Sequence, residues 1–221
     1  ERKFDWVVIG AGYAGLAAAR RLAENQPEAS VALVEAGEIG ENASGRNSGF
    51  AIDLPHLVSS GMDELEGSHR YLALARAAIE SHERLIKYHC IDCDWSQRGK
   101  YQTAVSARGV GELLEPFALE LEKLGEPFSW IDEADLARRL EASHVEAAVY
   151  TPGDGLLKPR ALTRGLADNL PDNVCLFENS AVTELDTDTQ IRIKTTQGEI
   201  NALQMILCVN AFAEHFGFYQ R

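Results

Sequence analysis

The sequence contains no apolar run that approaches the length needed to cross a lipid bilayer. A spanning helix takes about 20 predominantly apolar residues, and polar or charged residues interrupt every apolar stretch well before that length. The N-terminus enters an apolar stretch at Phe4, which leaves no room for a secretory signal. We therefore expect a cytoplasmic protein with no transmembrane segment.

Positive charge is also scarce. Lys and Arg number 21 against 34 Asp and Glu, which gives a formal net charge of −13. Proteins that bind nucleic acids usually carry a basic patch, and anionic membrane surfaces attract the same kind of patch. The composition therefore disfavours nucleic acid as a partner, and it carries no indication of an oligomeric state.

Cysteine is rare, and the four cysteines do not form a metal-binding pattern. Cys90 and Cys93 have the C-x-x-C spacing, but no second pair completes a zinc site. His82 and His89 are two helical turns apart, which is beyond the reach of a single ion. We expect no bound metal and four free thiols, as in a reducing compartment.

A glycine-rich fingerprint follows the first apolar stretch directly. Residues 4–9 predict a buried parallel strand, residues 10–15 read G-A-G-Y-A-G, and a helical pattern begins at once. Gly10 would permit the tight turn, Gly12 the approach of a pyrophosphate, and Gly15 close packing of the helix. The diphosphate would lie at the helix N-terminus, beside Tyr13 and Ala14, where free N–H groups favour an anion.

A second predicted strand, Val31–Val34, ends in an acidic residue at the expected distance from the glycines. Glu35 follows Gly15 by twenty residues, where dinucleotide-binding proteins carry the acid that accepts hydrogen bonds from ribose hydroxyls. Such an acid disfavours a 2′-phosphate, which would bring like charge next to it. The fingerprint alone fits NAD and FAD equally, and a βαβ unit without a ligand is the plain alternative.

The next stretch separates the two cofactors. Residues 35–49 read E-A-G-E-I-G-E-N-A-S-G-R-N-S-G, a glycine-rich loop where a nicotinamide enzyme would usually run into another helix. With this A-S-G-R-N-S-G loop the chain resembles the D-amino-acid oxidase superfamily of FAD-dependent oxidoreductases, and most closely its γ-glutamylputrescine oxidase-like branch. The resemblance implies that the loop passes beneath FAD and that its contacts are Ala36, Ala43, Ser44, Gly45, Arg46, Asn47 and Gly49.

Two later segments also resemble the family. Val182 lies where the family's backbone reads the adenine edge, and Asn210-Ala211 stand where many members have Thr-Gly close to the FAD phosphates. Because Ala lacks the conformational freedom of Gly, backbone contact at Ala211 is the weakest of these carried-over roles.

The implied fold is α/β, with a Rossmann-like FAD-binding domain of the glutathione-reductase type and an inserted α+β substrate-domain segment. The FAD-binding domain would comprise residues 1–55 and 155–221, and the inserted segment residues 56–154. Family members are longer, so we expect a chain truncated at the C-terminus. The sequence pattern predicts helices over 62–89, 110–124, 133–140 and 159–170, and strands over 99–105, 147–150, 174–177 and 203–209. Residues 190–196 and 198–200 are expected to form a β-meander around the turn at Gln197-Gly198.

The resemblance implies that the enzyme oxidises the C–N bond of an amine or amino acid by hydride transfer to flavin N5. No catalytic residue is assigned, although Arg46 and Asn47 are candidates near the flavin. An FAD-dependent 2-hydroxy-acid dehydrogenase of the same superfamily, an NAD-dependent dehydrogenase, an FAD hydroxylase and a non-enzymatic binding module remain alternatives. A disulfide reductase would need a cysteine pair against the flavin, and Cys90 and Cys93 lie in the wrong segment.

Noncovalent FAD is the first testable prediction. In the superfamily that the chain resembles, branches that attach FAD through histidine carry His at about the position of Arg46, and attachment through cysteine uses a C-terminal residue that this sequence does not contain. Acid precipitation of the purified protein should therefore release all flavin into the supernatant, measured by its absorbance. A yellow pellet after washing would contradict the prediction.

Overall fold

The computed structural model describes residues 2–54, 65–140, 144–187 and 190–218, which form two compact units. The first unit comprises Glu1–Ser48, Leu85–Cys93 and Lys158–Arg221, and the second comprises Gly49–Arg84 and Asp94–Leu157. These limits lie close to the predicted boundaries at residues 55 and 155. They differ at residues 85–93, which the prediction includes in the inserted segment and which pack with the first unit. The division into FAD-binding and substrate-binding roles stays a prediction.

The first unit is built on a six-stranded mixed sheet with the order β8-β2-β1-β11-β10-β9. Strands β8, β2, β1 and β11 are parallel to their neighbours in this series, whereas β10 pairs antiparallel with both β11 and β9. The predicted α/β class is confirmed. The strands are β1 Arg2–Ile9, β2 Val31–Val34, β8 Val174–Phe177, β9 Val182–Asp186, β10 Ile191–Thr195 and β11 Gly198–Leu207.

The helices of this unit bury small and branched side chains. Helix α1 (Tyr13–Asn25) buries Gly15, Leu16, Ala19 and Ala23, and helix α6 (Pro159–Asp168) buries Leu162, Thr163, Leu166 and Ala167. Pro159 begins α6, where its missing N–H would have no helical partner in any case. Arg20 of α1 donates to the carbonyl oxygens of Leu166 and Asn169, which ties the two helices together.

Strand β11 differs from its prediction. The prediction separates residues 198–200 from a strand over 203–209, but one ten-residue strand runs from Gly198 to Leu207. Residues 198–202 pair antiparallel with β10, and residues 200–207 pair parallel with β1. Polar Asn201 remains in the strand because it pairs with both β10 and β1, and Gln204 because it pairs with β1, which local propensity does not reveal.

The second unit contains a three-stranded antiparallel sheet with the order β4-β6-β5, and a two-stranded ribbon of β3 and β7. Helix α2 occupies most of the predicted range 62–89, of which residues 62–64 lie outside the described part. The predicted helix 110–124 begins with a π-helical turn. The elements are β3 Phe50–Ala51, α2 Leu65–Tyr88, β4 Lys100–Ala104, α3 Ala107–Gly109, the π-helix Val110–Leu114, α4 Glu115–Leu124, β5 Ser129–Asp132, α5 Glu133–Leu140, β6 Ala147–Thr151 and β7 Gly155–Leu156.

Two buried aspartates lie in this second unit. Asp53 is 2% exposed and Asp154 is 0% exposed, and each has one carboxylate oxygen, Oδ1, without a partner in the part of the chain described. Arg76 donates to Asp53 over 2.9 Å, while Thr151 donates to Asp154 over 3.0 Å. Burial disfavours the charged form of Asp154 and raises its pKa above 3.8, and the nearby charge of Asp53 acts in the same direction.

This raised pKa predicts a pH-dependent stability. The folded state holds the Asp154 proton more tightly than the unfolded state, so the free energy of unfolding should fall as pH rises from about 3.8 through the raised pKa. Asp154→Asn should remove this slope, so that the variant gains stability relative to the wild type between pH 4 and pH 7. Each 1 kcal/mol would shift the melting temperature by roughly 2–4 °C, which calorimetry resolves.

Glu112→Gln in the same unit is the matched control for that experiment, because Glu112 is exposed and its ion pair among the described residues is with exposed Arg108, four residues earlier. It should leave the pH dependence of the melting temperature unchanged. An Asp154→Asn slope equal to that of the wild type would show that Asp154 does not titrate in this window.

Candidate cofactor site

The glycine turn lies between β1 and α1, against the end of β11. Gly10 has φ of +93°, and a Cβ atom there would approach the carbonyl oxygen of Cys208 to 2.5 Å, so only glycine fits. The Cys208 amide in turn donates to the carbonyl oxygen of Ile9 over 2.8 Å. The turn is therefore held on one side by the strand that precedes Asn210 and Ala211.

The start of α1 presents free amide groups. In the described part of the chain, the amides of Gly12, Ala14 and Gly15 have no acceptor, as expected for the first turn of a helix. The Tyr13 amide instead donates to the Ser44 hydroxyl oxygen over 3.2 Å. Because that hydroxyl accepts here, its own hydrogen remains available to donate to an anion.

Glu35 joins the glycine turn to the loop that follows β2. It is 8% exposed, and its Oε2 accepts from the Ala11 amide over 2.8 Å. Its Oε1 accepts from the Gly37 amide and from the Asn42 side chain, each over 3.2 Å. A carboxylate offers about four lone-pair sites, so these three donors leave room for one further donor, such as a ribose hydroxyl.

Residues 36–48 fold back onto the glycine turn. A Cβ atom at Gly12 would approach Ser44 Oγ to 2.7 Å, so the absence of a side chain at Gly12 is what admits Ser44. Asn47 donates to the carbonyl oxygens of Ala43 and Ser44 over 3.1 and 3.0 Å, which closes the loop on itself. Arg46 is exposed and has no ion pair with any described residue.

The segment after β8 also reaches this loop. The Ser180 amide donates to the carbonyl oxygen of Glu35 over 2.9 Å, and the Asn179 amide donates to that of Gly37 over 3.0 Å. Ser180 is buried, and Val182 begins β9 two residues later. The predicted adenine-side segment therefore lies beside the predicted ribose acid.

Asn210 and Ala211 follow β11 at the same end of the sheet, and both are exposed. Asn210 has φ of +50°, a left-handed conformation, whereas Ala211 is not among the described residues with positive φ. The left-handed conformation thus falls on asparagine, which tolerates it better than most residues. Glycine is therefore not required at Ala211.

Tyr13 is a structural phenol rather than a proton acceptor. Its hydroxyl donates to the Pro159 carbonyl oxygen over 3.5 Å, at the start of α6. Burial disfavours the phenolate and raises the pKa of Tyr13 to about 12, and proximity to Cys93 adds to this rise. Tyr13 therefore stays protonated at neutral pH.

The first unit brings together fifteen of the sixteen residues predicted to bind cofactor. Gly49 is the exception, because it belongs to the second unit. The fifteen are Gly10, Gly12, Tyr13, Ala14, Gly15, Glu35, Ala36, Ala43, Ser44, Gly45, Arg46, Asn47, Val182, Asn210 and Ala211. Their individual contacts to a cofactor stay predictions.

Three further residues support this site and were not predicted. Asn42 donates to Glu35, and Arg164 pairs with Glu178, whose carboxylate accepts from the Ile39 amide. Glu178 directly follows a predicted parallel strand, and the carboxyl ends of such strands are where ligands bind. The position of Glu178 in the sequence could therefore have indicated a role at the site. No sequence feature indicates the role of Arg164, because that role depends on how α6 packs.

Comparison with known proteins gives the family. The family profile described as FAD dependent oxidoreductase matches residues 5–219. The chain belongs to this family of FAD-dependent oxidoreductases. The predicted cofactor, FAD, is thereby confirmed, and so is the predicted superfamily.

Two curated relatives are named as oxidoreductases. The chain is 30% identical over 216 residues to gamma-glutamylputrescine oxidoreductase of Escherichia coli, covering 94% of this chain and 49% of that protein. It is 27% identical over 219 residues to the probable oxidoreductase OrdL of Haemophilus influenzae, covering 95% and 49%. The chain thus spans about half the length of the curated relatives it matches.

Solved structures show the same fold at lower identity. Glycine oxidase from Geobacillus kaustophilus matches with a TM-score of 0.82 and 23% identity, over 98% of this chain and 58% of that one. The L-amino acid deaminase from Proteus myxofaciens matches with a TM-score of 0.75 and 20% identity, over 98% and 48%. The predicted fold class is confirmed.

The residues present fit the diphosphate and ribose of FAD. Free amides at the start of α1 and the Ser44 hydroxyl suit an anion, and Glu35 retains one acceptor site. Within the described residues no three His, Cys, Asp or Glu side chains are grouped to hold a metal ion. The helices described there include none that is both long and apolar enough to span a membrane.

Substitutions of two glycines should separate cofactor binding from folding. Gly12→Ala would displace Ser44 from the Tyr13 amide, so FAD affinity should fall about tenfold, or about 1.4 kcal/mol, with little change in melting temperature. Gly15→Ala would collide with the backbone carbonyl of Gly10, so it should destabilise the fold by about 1–3 kcal/mol. Flavin fluorescence titration and calorimetry measure the two effects.

Gly111→Ala is the control, because a Cβ atom there meets nothing within 4 Å. It should leave both FAD affinity and melting temperature close to those of the wild type. A Gly12→Ala variant that binds FAD as tightly as the wild type would contradict the role given to the Gly12–Ser44 contact.

Proposed function

We propose that the protein containing this chain oxidises the C–N bond of an amine or amino acid. The observation that carries the proposal is the glycine turn joined to the Ser44 loop in a chain of the FAD-dependent oxidoreductase family. Relatives named for amino compounds support the substrate class, namely gamma-glutamylputrescine oxidoreductase, glycine oxidase and L-amino acid deaminase.

Bound FAD would supply the redox chemistry, with flavin N5 accepting a hydride from the carbon next to nitrogen and leaving an imine that water hydrolyses. The chain's own residues bind and orient. The amides of Ala14 and Gly15 and the Ser44 hydroxyl would hold the diphosphate. The remaining acceptor site of Glu35 would receive a ribose hydroxyl, and the backbone near Val182 would read the adenine edge.

The proposed reaction does not require a strong base to remove a proton from the substrate nitrogen. An amine bound in its neutral form needs no strong base for loss of hydride. Tyr13 cannot act as that base, because its raised pKa of about 12 keeps it protonated. The proposed mechanism therefore assigns no residue of this unit to proton abstraction.

Arg46 and Asn47 are the candidates for the flavin side of the site. Arg46 is exposed and without an ion pair among the described residues, so its charge is available to an anionic ligand. It would place positive charge beside the flavin while the substrate is oxidised, or it would bind the diphosphate. The Asn47 side-chain amide donates to the carbonyl oxygens of the loop. We therefore give Asn47 the role of holding the loop, and Arg46 with it, in place.

Anaerobic flavin bleaching tests the proposed reaction. The complete gene product, loaded with FAD, is mixed with a panel of amino acids, polyamine derivatives, N-methyl amines and 2-hydroxy acids. At least one amine should bleach the absorbance near 450 nm, while the hydroxy acids should leave it unchanged. Bleaching by 2-hydroxy acids alone would overturn the C–N assignment and favour the hydroxy-acid dehydrogenase of the same superfamily.

A further inference from the structure

The loop that carries Asn42 and Ser44 is fixed by an ion pair outside the predicted site. Glu178 follows β8, and its Oε1 accepts from the Ile39 amide over 2.6 Å. Arg164 of α6 donates to both oxygens of the same carboxylate, each over 2.9 Å. A single carboxylate thus joins α6, the end of β8 and the loop after Glu35.

Among the described ion pairs, two join distant segments through paired hydrogen bonds to a partly buried carboxylate: Arg164 with Glu178, and Arg76 with Glu126 in the second unit. Most of the other described pairs are exposed and lie within one helical segment or between neighbouring strands, such as Arg108 with Glu112, whose side chains are 82% and 60% exposed. Such pairs contribute little to stability. Arg164 and Glu178 are 36% and 27% exposed and paired through two parallel hydrogen bonds, which are stronger and more directional.

The position of Ile39 explains why this contact reaches the cofactor site. The Ile39 side chain is 1% exposed, so the residue is held by burial as well as by its amide. Three residues further on, Asn42 donates to Glu35, and Ser44 then accepts from the Tyr13 amide. The loop between Gly37 and Ser44 is therefore anchored in the middle by Glu178 and at its far end by α1.

We propose that Arg164 and Glu178 are positioning residues for FAD, which order the loop at Ile39 so that Asn42 and Ser44 stand ready before the cofactor binds. This inference rests on the proposed role of the Ser44 loop in the FAD site. Arg164 and Glu178 act through the loop backbone, and their side-chain hydrogen bonds among the described residues join them to each other and to the Ile39 amide. Pre-ordering of the loop lowers the entropic cost of binding.

Hydrogen exchange and FAD affinity test the proposal in the complete gene product. In the cofactor-free protein, Glu178→Ala should raise the amide exchange rate of residues 37–44 at least tenfold, with exchange of the β2 strand unchanged. Its FAD dissociation constant, from fluorescence titration, should rise about tenfold. Saturating FAD should restore much of the lost protection.

Conservative variants distinguish positioning from general support of the fold. Glu178→Gln keeps an acceptor for the Ile39 amide but loses the charge, so its exchange rates and affinity should fall between those of the wild type and Glu178→Ala. Arg164→Lys keeps the charge but loses the second hydrogen bond, and it should behave similarly. Glu184→Gln is the control, because Glu184 pairs with Lys194 on exposed strands of the same unit.

Three results would overturn the proposal. These are unchanged exchange at residues 37–44 in Glu178→Ala, a uniform rise in exchange across the unit, or raised loop exchange with unaltered FAD affinity. No substrate enters either measurement. A protein that binds FAD normally yet oxidises no amine would therefore refute the proposed reaction and leave this inference standing.

Discussion

The Glu35 carboxylate is the interaction on which the candidate site depends. It accepts from the amide at Ala11, inside the glycine turn, and from Gly37 and Asn42 in the following loop. The Ser44 hydroxyl adds a second link between the turn and the loop, at the Tyr13 amide. A buried carboxylate is costly unless its oxygens are hydrogen-bonded, so the surrounding backbone is constrained to supply donors, and those donors shape the site.

Local order at this site comes from backbone groups more than from side chains. The amides of Ile39, Asn179 and Ser180 donate hydrogen bonds there. The amides at the start of α1 are available to a ligand. Backbone positions are fixed by the fold rather than by residue identity, which explains how solved structures at 20–23% identity share the same fold. Side chains act at a few positions, chiefly Glu35, Ser44 and Glu178, and the glycines make room by having none.

Sequence reasoning succeeded where the determining forces are local. The β1-turn-α1 unit, strand β2 and helix α5 follow from hydrophobic period, glycine placement and helix capping within a few residues. It failed where pairing is distant: the continuity of β11 depends on β1 and β10, and the Arg164–Glu178 pair depends on the packing of α6. The link between Ser44 and the Tyr13 amide likewise joins segments that no local pattern relates.

The central position of β1 has a consequence for how the chain folds during synthesis. One neighbour of β1 is β2, which is synthesised shortly after it. The other neighbour is β11, so Arg2 can pair with Ile200 only after almost the whole chain described here has been made. Until then, one edge of an apolar parallel strand stays open to non-native pairing. Contacts of such high sequence separation form slowly, so the sheet of the first unit is completed only after β11 has been synthesised.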